Sequence, residues 1–539
     1  MLRQNRFVLL VVILYFAIGC TVFGTVLQNS FVYFDDNLLV FENPMIQNLN
    51  LRTITWAFLH FDPELYIPLT FLSFQFDWFL GGGNPMIFHL TNLVLHIINA
   101  LLVTWLIYLL QRRNVLVALL AGLLFLVHPL HTEAVAWISA RKDVLSAMFF
   151  LMSTIGYLYK RKRISLACFV LGLLAKVSIV ILPLILLLID WLQKRPLDRN
   201  AIREKIPYFI AACVFGVIAI IGKTQILGNA SLITGVLVAI KSTIFYLQKF
   251  VMPLQLSVIY PYQDSLTILS PDFFIPVGLL LLLIVAVFLS RKKTRAILFA
   301  SLFYVCALVP SFTNYARDET VFFASDRYAY LPSIALVYLI VVGISTLKNQ
   351  RKTLGIALCT MVIITFGFLA HKQVRVWRNT KTLFMHATQY HEYYRAYSKI
   401  GAELWNEGNE TEALQALNHS IELRPNRRAY YNLGLYYMSK NQTLEALSAY
   451  KNAIELDTNH KDAHMNLGLL YWQSGNTEDA RTHWERAEQI DPTDRDALIN
   501  LALLYQKIGQ TSTARQMIQR LLEMDSEDIE AHALLRSLE

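Results

Sequence analysis

The sequence predicts an all-α protein, in which a polytopic helical membrane domain is followed by an α-solenoid. Of its 539 residues, 55% are hydrophobic and only 16% are charged, whereas about 25% of residues are charged in a typical soluble domain. Up to about residue 371 apolar runs alternate with short charged segments, and from about residue 391 the chain is polar and patterned for helices. In this polar part, small residues recur at a fixed interval, as expected for a stacked helical array.

The apolar part contains eleven runs that we expect to cross the membrane, because a spanning helix needs about 20 apolar residues. These candidate spans are 7–27, 86–110, 114–128, 143–159, 164–175, 178–192, 206–222, 272–290, 295–311, 328–346 and 353–370. The further run 232–252 contains Lys241 and Lys249 and is followed by Pro253. We therefore expect it to be a re-entrant or interfacial helix on the outer side.

Loop charge predicts the orientation of these helices, because lysine and arginine concentrate in cytoplasmic loops. Basic residues cluster near positions 3–6, 112–113, 160–163, 194–205, 291–295 and 348–352. Placing all six clusters inside requires an even number of crossings between neighbours, which puts the N-terminus inside and the C-terminal part outside. The stretch 164–192 is short for two crossings, so we expect a helical hairpin with Lys176 at its outer tip. The first apolar run is longer than that of a signal peptide and predicts a retained transmembrane helix.

This topology brings many ionisable residues to the outer face, where such clusters indicate a functional site. They are Asp35, Asp36, Glu42, Asp62, Glu64, Asp77, Glu133, Arg141, Lys142, Asp143, Asp264, Arg317, Asp318, Asp326 and Arg327. The net charge of +9 follows from the basic loops, and no basic motif with interleaved aromatic residues indicates nucleic-acid binding. The five cysteines lie in apolar runs without CxxC spacing, which favours neither a disulfide nor a zinc site.

The polar part has a period of 34 residues. Positions 432–434 and 466–468 read Asn-Leu-Gly and 500–502 read Asn-Leu-Ala, while Ala446, Ala480 and Ala514 recur at the same interval. Small residues at this period are typical of tetratricopeptide repeats (TPRs), in which they let paired helices approach closely. A concave peptide-binding surface is the functional interpretation of such an array, and a structural spacer is the alternative.

These patterns predict three segments. The membrane domain occupies residues 1–371 and a linker occupies 372–393. A TPR array of about four repeats with a capping helix occupies 394–539.

Short motifs stand in a defined order ahead of the repeats. They are 34–37 (FDDN), 43–44 (NP), 67–70 (IPLT), 89–92 (HLTN), 128–137 (HPLHTEAVAW), 141–143 (RKD), 174–176 (LAK), 253–257 (PLQLS), 260–262 (YPY), 326–332 (DRYAYLP) and 373–377 (QVRVW). In this order the chain resembles the transmembrane-and-TPR-containing proteins. These belong to the membrane glycosyltransferases of the GT-C fold, which include protein O-mannosyltransferases, and the resemblance covers essentially the whole chain.

The resemblance implies an enzyme that uses a polyprenyl-phosphate sugar, with mannose as one candidate, and transfers it to a hydroxyl group on the outer face. In GT-C enzymes an acidic residue just after the first transmembrane helix is the general base, a position that matches Asp35 or Asp36. The protein or peptide acceptor would be presented by the TPRs. The bacterial style of the motifs favours an inner-membrane protein with periplasmic TPRs, and the endoplasmic reticulum is the counterpart in a eukaryote.

Four cations are candidates for binding the donor phosphate, namely Arg141, Lys142, Lys176 and Arg327. Arginine offers phosphate a planar bidentate fork and lysine offers a compact point charge. His128, His131 and Glu133 have spacings that would suit a divalent cation together with Asp36, although interfacial anchoring explains the histidines equally well. No cofactor other than such a cation is expected.

Two other functions remain as alternatives. The first is an O-antigen ligase or polymerase, which can also carry TPRs on the outer side. The second is a membrane scaffold without enzymatic activity that gathers partners through its TPRs. An early Asp-Asp pair favours the transferase over both, because the ligases concentrate their key residues in a later loop and a scaffold gives the outer acids and cations no role.

Overall fold

A computed structural model gives the structure of residues 2–61, 65–223, 232–262, 270–313, 316–317 and 320–538. The chain forms two compact units, Met1–His391 and Glu392–Glu539. The helices of the first unit are α1 (Leu2–Phe23), α2 (Leu51–Leu59), α3 (Pro68–Gly81), α4 (Pro85–Leu110), α5 (Val115–Leu126), α6 (Thr132–Ala136), α7 (Arg141–Leu158), α8 (Lys162–Ala175), α9 (Leu182–Leu192), α10 (Arg199–Arg203), α11 (Ile206–Lys223), α12 (Leu232–Val251), α13 (Pro271–Ser290), α14 (Arg295–Leu308), α15 (Pro332–Thr346), α16 (Asn349–Val374) and α17 (Thr380–Thr388).

The first unit also contains a small antiparallel sheet of three strands, β1 (Tyr260–Tyr262), β2 (Ala316–Arg317) and β3 (Thr320–Ala324), in the order β1-β3-β2. β1 pairs with β3 so that Pro261 faces Phe322. The sheet joins two of the predicted outer loops and satisfies their backbone groups by pairing. The protein is otherwise helical, and the predicted all-α membrane domain followed by a TPR solenoid is confirmed.

Several helices of the first unit suit a membrane. Six in the described ranges are long and apolar enough to cross, and a seventh span results if the bent pair 115–126 and 129–136 is counted as one. They are Arg6–Gln28, Pro85–Leu110, Ile233–Val251, Pro271–Ser290, Arg295–Phe312 and Asn349–Trp377. Val177–Leu192, Ile206–Gly222 and Pro332–Thr346 are shorter apolar helices. The total of eleven crossings stays a prediction.

Helix α12 is long enough to cross the membrane, although we expected it to be re-entrant or interfacial. Its contacts along the whole length are to predicted outer segments. Leu237 clusters with Tyr262, the Tyr246 hydroxyl donates to the Ser325 carbonyl over 3.0 Å, and the Phe250 carbonyl lies 3.1 Å from His128 Nε2. These contacts at both ends and in the middle favour a helix lying across the outer end of the bundle.

The predicted cytoplasmic connections also meet one another. Lys205 is fully buried and donates to Asp190, and Glu204 pairs with Lys162 over 2.9 Å and with Arg195 over 2.8 Å. Arg295 Nη1 donates to the Trp191 carbonyl over 2.7 Å. Since these segments share one end of the bundle, they agree with the orientation predicted from loop charge.

Helix α4 lies at the centre of the bundle and packs against α1, α3, α5 and α7. It carries buried polar side chains on the facing surface. The Asn99 amide donates to the Val144 carbonyl over 2.8 Å, and His96 Nδ1 lies 2.7 Å from the Tyr330 hydroxyl. Interhelical hydrogen bonds of this kind fix the register of packed membrane helices.

The segment predicted as a linker contains helix α17, which packs within the first unit. The Tyr33 amide donates to Thr380 Oγ1 over 3.0 Å, and His386 Nε2 lies 3.0 Å from the Leu256 carbonyl. Leu383, Phe384 and Ala387 form a buried face of this short helix. The compact unit therefore extends beyond the last apolar run to His391.

The second unit is an array of helix pairs. Its helices are α18 (Tyr394–Asn406), α19 (Glu410–Leu423), α20 (Arg427–Ser439), α21 (Thr443–Leu456), α22 (Lys461–Gln473), α23 (Thr477–Ile490), α24 (Arg495–Lys507), α25 (Thr511–Met524) and α26 (Ile529–Ser537). The conserved spacing of glycines has a steric cause, because a Cβ atom at Gly434 would lie 2.4 Å from the Tyr450 ring and one at Gly468 would lie 2.6 Å from Trp484. Four pairs with α26 as a cap match the predicted repeats.

Candidate functional site

The predicted outer loops meet at one end of the first unit. Asp36 of the first loop bonds to Ser139, Glu133 pairs with Arg327, and Lys176 pairs with Asp143. Each contact joins segments that are far apart in sequence. Of the outer ionisable residues named above, Asp62, Glu64, Asp264, Asp318 and the side chain of Arg317 lie outside the described residues.

Aromatic packing holds the turn that carries the two neighbouring aspartates. The Phe34 ring lies 5.0 Å from the Trp137 ring and 6.2 Å from the Phe384 ring. Stacking of this kind fixes a loop more firmly than polar surface contacts do. The turn therefore presents Asp35 and Asp36 at a defined position beside the loop that contains Trp137.

Asp36 is almost fully buried and its carboxylate is held by three hydrogen bonds. Oδ1 accepts from the Ser139 amide over 3.0 Å and from the Ser139 hydroxyl over 2.5 Å, and Oδ2 accepts from the Val32 amide over 3.0 Å. Burial raises the pKa of Asp36 to about 6, although these hydrogen bonds act in the opposite direction. With its oxygens occupied by the protein, Asp36 connects the first outer loop to the segment before α7.

Asp35 differs from its neighbour. It is half-buried, and within the described ranges its carboxylate accepts no hydrogen bond. Its charge acts on both Asp36 and Lys142. A carboxylate that is positioned but not occupied is able to accept a proton from a substrate hydroxyl. Between the two candidates, the geometry therefore favours Asp35 as the base.

Three of the four predicted cations gather around two aromatic rings. Lys142 Nζ lies 5.5 Å from the centre of the Trp137 ring, and Lys176 Nζ lies 5.5 Å from that of Tyr328. The guanidinium carbon of Arg327 lies 4.8 Å from the centres of both rings. Cations are attracted to aromatic faces at these distances. We call Lys142, Lys176 and Arg327 the cation cluster.

The members of the cation cluster differ in their ionic partners. Arg327 Nη1 donates to Glu133 Oε1, and the Arg327 amide donates to Oε2 over 3.2 Å. Lys176 Nζ lies 2.5 Å from Asp143 Oδ1. Lys142 is 5% exposed, and among the residues that the structure describes no side chain forms an ion pair or hydrogen bond with its ammonium group. A buried charge without a paired partner is unfavourable, so Lys142 is the member best prepared to receive an anion.

Buried polar atoms without partners lie in the same place. Among the described residues, Trp137 Nε1, Arg327 Nε and Asp143 Oδ2 are buried and make no hydrogen bond. Buried polar groups are nearly always hydrogen-bonded in proteins. Two of these atoms are donors beside the cation cluster, and an oxyanion bound there would satisfy them.

Arg141 lies apart from the cation cluster. It is fully buried and donates from Nη2 to Asp77 Oδ2 over 2.6 Å and to the Phe88 carbonyl over 2.8 Å. It also donates to Ser73 Oγ over 3.3 Å and, through Nε, to Asn92. The predicted phosphate contact does not fit this placement, because the guanidinium already joins α7 to α3 and α4.

The predicted metal ligands are not arranged around a common point. His128 Nε2 lies 3.1 Å from the Phe250 carbonyl, while His131 bonds to the Phe125 carbonyl over 2.8 Å and to Ser333 Oγ over 2.9 Å. Glu133 is occupied by Arg327. No group of three or more His, Cys, Asp or Glu in the described ranges is placed to hold a metal ion. These residues therefore do not fit a divalent cation, and the histidines act as interhelical hydrogen-bonding groups.

A second buried acid borders the cation cluster. Asp326 Oδ1 accepts a hydrogen bond of 2.8 Å from the Tyr260 hydroxyl. Burial, followed by the nearby charge of Glu133, raises the pKa of Asp326 well above its usual range. A protonated Asp326 leaves the charge balance of the site to the other acids and the cation cluster.

Sequence reasoning did not assign a role to Trp137 or Tyr328, and it interpreted Glu133 as a metal ligand. Trp137 and Tyr328 each stand near the candidate cations in sequence, within the motifs 128–137 and 326–332. An aromatic residue next to a basic motif in an outer loop was the available signal. Their position over the cations depends on the meeting of two loops that are about 190 residues apart.

Comparison with known proteins agrees with both parts of this description. Family models of the tetratricopeptide repeat match residues 394–427, 431–495 and 483–538. Protein O-mannosyl-transferase TMTC1 of Mus musculus is 35% identical over 151 residues, which are 26% of this chain and 16% of that protein. Protein O-mannosyl-transferase TMTC4 of Homo sapiens is 44% identical over 105 residues, 17% of this chain and 14% of that protein.

The matched regions span less than a fifth of the length of these curated relatives. The matches confirm that the chain is a TPR-containing membrane protein similar to the transmembrane-and-TPR-containing proteins. Among solved structures, MamA has 23% identity and a TM-score of 0.25, covering 28% of this chain and 88% of MamA. The TPR protein YrrB has 19% identity and a TM-score of 0.26, covering 32% of this chain and 90% of YrrB.

Proposed function

We propose that this protein transfers a sugar from a polyprenyl-phosphate carrier to a hydroxyl group of a protein or peptide on the outer face of the membrane. The relatives named protein O-mannosyl-transferases support a glycosyltransferase of this kind and make mannose the first sugar to test. The observation that carries the proposal is the position of the cation cluster beside Asp35, at the end of the bundle where the outer loops meet. The GT-C fold and the polyprenyl donor belong to this proposal.

The cation cluster is suited to the leaving group. Breaking the bond between the anomeric carbon and the phosphate oxygen leaves the electron pair on that oxygen, so the carrier phosphate gains one negative charge. Lys142 has no ionic partner among the described residues, and Arg327 Nε and Trp137 Nε1 are buried donors without acceptors. Preorganised donors aimed at a developing charge lower the barrier of the step that creates it.

Asp35 is suited to activating the acceptor. Its carboxylate takes the proton of the acceptor hydroxyl while the hydroxyl oxygen forms a bond to the anomeric carbon and the phosphate leaves. The electrostatic interaction between Asp35 and Lys142 places the base next to the cation that faces the leaving phosphate. Positioned acid–base groups typically contribute about 10²–10⁴-fold to a rate.

Asp36, Arg141 and Asp143 have supporting roles in this mechanism. Asp36 joins the loop that carries Asp35 to the segment before α7 through Ser139. Arg141 joins the start of α7 to α3 through Asp77. Asp143 positions Lys176, and Glu133 positions Arg327. The TPR unit would bring the acceptor protein to the membrane unit.

The test uses the full chain in lipid nanodiscs with radiolabelled polyprenyl-phosphate mannose and, separately, the glucose form. Donor consumption and label transfer are followed in wild type, Asp35→Asn and Asp36→Asn, with Glu42→Gln as the matched control for loss of an exposed outer carboxylate. We expect Asp35→Asn alone to abolish turnover in a protein of unchanged stability. Folded wild type that binds and consumes neither donor would exclude these two sugars and direct the test to other donors, to the ligase and finally to a scaffold.

A further inference from the structure

The second unit contains a groove of about 450 Å³ that is lined by the same positions of successive repeats. Three carboxylates in its lining are separated by 34 residues, namely Asp462, Asp496 and Glu530. Two amides have the same spacing, those of Asn466 and Asn500. Because equivalent positions of stacked repeats form parallel rows, these groups repeat along the groove as the subunits of an extended chain would.

The row of carboxylates leaves negative charge in the groove. Asp462 and Asp496 are exposed, and in residues 392–538 no cation forms an ion pair with Asp462. Arg495 serves the other two, lying 3.9 Å from Asp496 and 2.9 Å from Glu530 while it also binds Asp528. One guanidinium therefore faces more carboxylates than it neutralises.

The charge of the whole second unit has the same sign. Residues 392–539 contain 15 lysines and arginines against 23 aspartates and glutamates, a net charge of −8 within a chain of +9. An acidic surface raises the local concentration of cationic partners and speeds their association. The position equivalent to Asp462 in the preceding repeat is Arg428, so the negative row begins at α22 and has a defined end.

The amides provide groups that recognise a polypeptide backbone. Asn466 Nδ2 lies 3.5 Å from the Tyr431 hydroxyl, at the limit of a hydrogen bond, and Asn500 makes no side-chain hydrogen bond within the second unit as described. A carboxamide both donates and accepts, and so matches the N–H and C=O of an extended chain. The apolar floor next to them, which includes Ile499, suits aliphatic parts of long side chains.

We propose that this groove binds an extended polypeptide segment rich in lysine or arginine. The basic side chains pair with Asp462, Asp496 and Glu530, and the amides of Asn466 and Asn500 hold the backbone between them. The basic residues of the ligand lie at the end of the array formed by α22, α24 and α26. The identification of the ligand as the acceptor of sugar rests on the function proposed above, whereas the charge preference of the groove does not.

A different explanation of the carboxylates makes a different prediction. Each is the second residue of its helix, and acids in a first turn stabilise a helix through its dipole. If this were their only role, replacing them would lower stability and leave peptide affinity unchanged. The experiment therefore measures both quantities.

The test measures binding of fluorescent peptides to the full chain in nanodiscs of zwitterionic lipid, without any sugar donor. Three peptides share a Gly-Ser backbone and carry lysine and arginine, glutamate, or glutamine at the same positions. We expect the basic peptide to bind most tightly, with an affinity that falls at high salt. The triple variant Asp462→Asn, Asp496→Asn and Glu530→Gln should bind it at least about tenfold more weakly, because three ionic contacts are lost.

The matched control is Glu412→Gln, Glu445→Gln and Glu478→Gln, which removes the same charge from the first turns of the second helices, outside the groove lining. Its affinity for the basic peptide should stay close to wild type. If the triple variant is less stable, Asp462→Asn alone tests the exposed carboxylate that has no ion pair. Equal binding of the three peptides, an unchanged triple variant, or an equal loss in the control would overturn the proposal. Because no donor is present, a failure of transfer leaves these results unaffected.

Discussion

Ser139 donates two hydrogen bonds to Asp36 Oδ1, one of 3.0 Å from its amide and one of 2.5 Å from its hydroxyl. The two residues are 103 positions apart, so this contact determines where the loop after α1 lies relative to α7. The adjacent Asp35 is thereby placed near Lys142 without being occupied itself. A pair of neighbouring aspartates thus divides into one that holds the site together and one that is open to substrate.

Asp36 should make stability depend on pH. Burial raises its pKa from 3.8 to about 6 in the folded protein, so the fold favours the protonated form. Its contribution to stability is fully present below pH 4 and is lost as the pH rises through about 6. A shift of this size corresponds to at most about 3 kcal/mol. Thermal unfolding in detergent between pH 4 and 7 should show this loss, and Asp36→Asn should remove it.

The adjacent residue provides the control for this pH dependence. Asp35→Asn removes a half-buried carboxylate from the same turn and should keep the wild-type change in melting temperature with pH. At neutral pH, Asp36→Asn should cost about 1–3 kcal/mol, because its amide NH₂ faces the Val32 N–H where a carboxylate oxygen had accepted a hydrogen bond. An Asp36→Asn protein with the wild-type pH profile would contradict this assignment.

Asp35→Asn should reduce the rate of sugar transfer by at least about 10²-fold, because a general base is lost. Its stability should stay within about 0.5 kcal/mol of wild type, since the carboxylate makes no hydrogen bond in the described structure. Single-turnover transfer in nanodiscs measures the chemical step, and donor binding measured separately should change little. Loss of donor binding with an unchanged rate would instead assign Asp35 to the donor site.

The sequence was sufficient to predict the two regimes of the chain and the TPR array. Apolar runs of membrane length and a period of 34 are properties of composition and spacing, which need no tertiary information. The meeting of the outer loops also followed from loop charge, since residues on one side of a bilayer share a limited surface. The total number of spans did not follow, because short apolar helices and α12 fit more than one placement.

The roles of individual residues in the site depended on contacts that spacing does not encode. Arg141 and Lys142 are adjacent and equally basic, but one is directed to Asp77 and the other to the Trp137 ring. Successive residues at the start of a helix point about 100° apart, so neighbours in a motif reach different surroundings. Glu133 was interpreted as a metal ligand because its partner Arg327 is 194 positions away.

Replacing Arg141 and Lys142 in turn should separate structure from ligand binding. Arg141→Met leaves Asp77 buried without a partner and should cost about 3–5 kcal/mol. Lys142→Met removes a buried ammonium that has no ionic partner in the described structure, so stability should be unchanged or higher. Lys142→Met should instead raise the KM for the donor at least about tenfold, because a cation facing the phosphate is lost. Thermal unfolding and steady-state kinetics of both variants make the comparison.

The reverse outcome would move the phosphate site. A stable Arg141→Met protein with a raised KM, together with an unchanged KM in Lys142→Met, would assign the donor to the region of Asp77. Arg141→Lys serves as the conservative control, since it retains one charge but loses the fork that reaches Asp77, Ser73 and Asn92. It should be intermediate in stability.

The final prediction concerns close packing in the TPR unit. Gly468→Ala places a Cβ atom 2.6 Å from Trp484, and overpacking of this kind typically costs about 1–3 kcal/mol. The next repeat contains its own solution, because Ala502 takes the glycine position and Ile518 takes the position of tryptophan, and both are buried in one cluster. Trp484→Ile should therefore recover part of the stability lost in Gly468→Ala.

Hydrogen exchange of α22 and α23 in the full chain measures this effect locally. Gly468→Ala should speed exchange in both helices, and Gly468→Ala with Trp484→Ile should slow it again toward wild type. Trp484→Ile alone should be destabilising by about 2–4 kcal/mol, because it opens a cavity and removes the 3.1 Å hydrogen bond from Nε1 to the Met465 carbonyl. The two changes together should thus cost less than the sum of each alone, which is the signature of residues in direct contact. Additive effects would show that the glycine is retained for a reason other than the size of its partner.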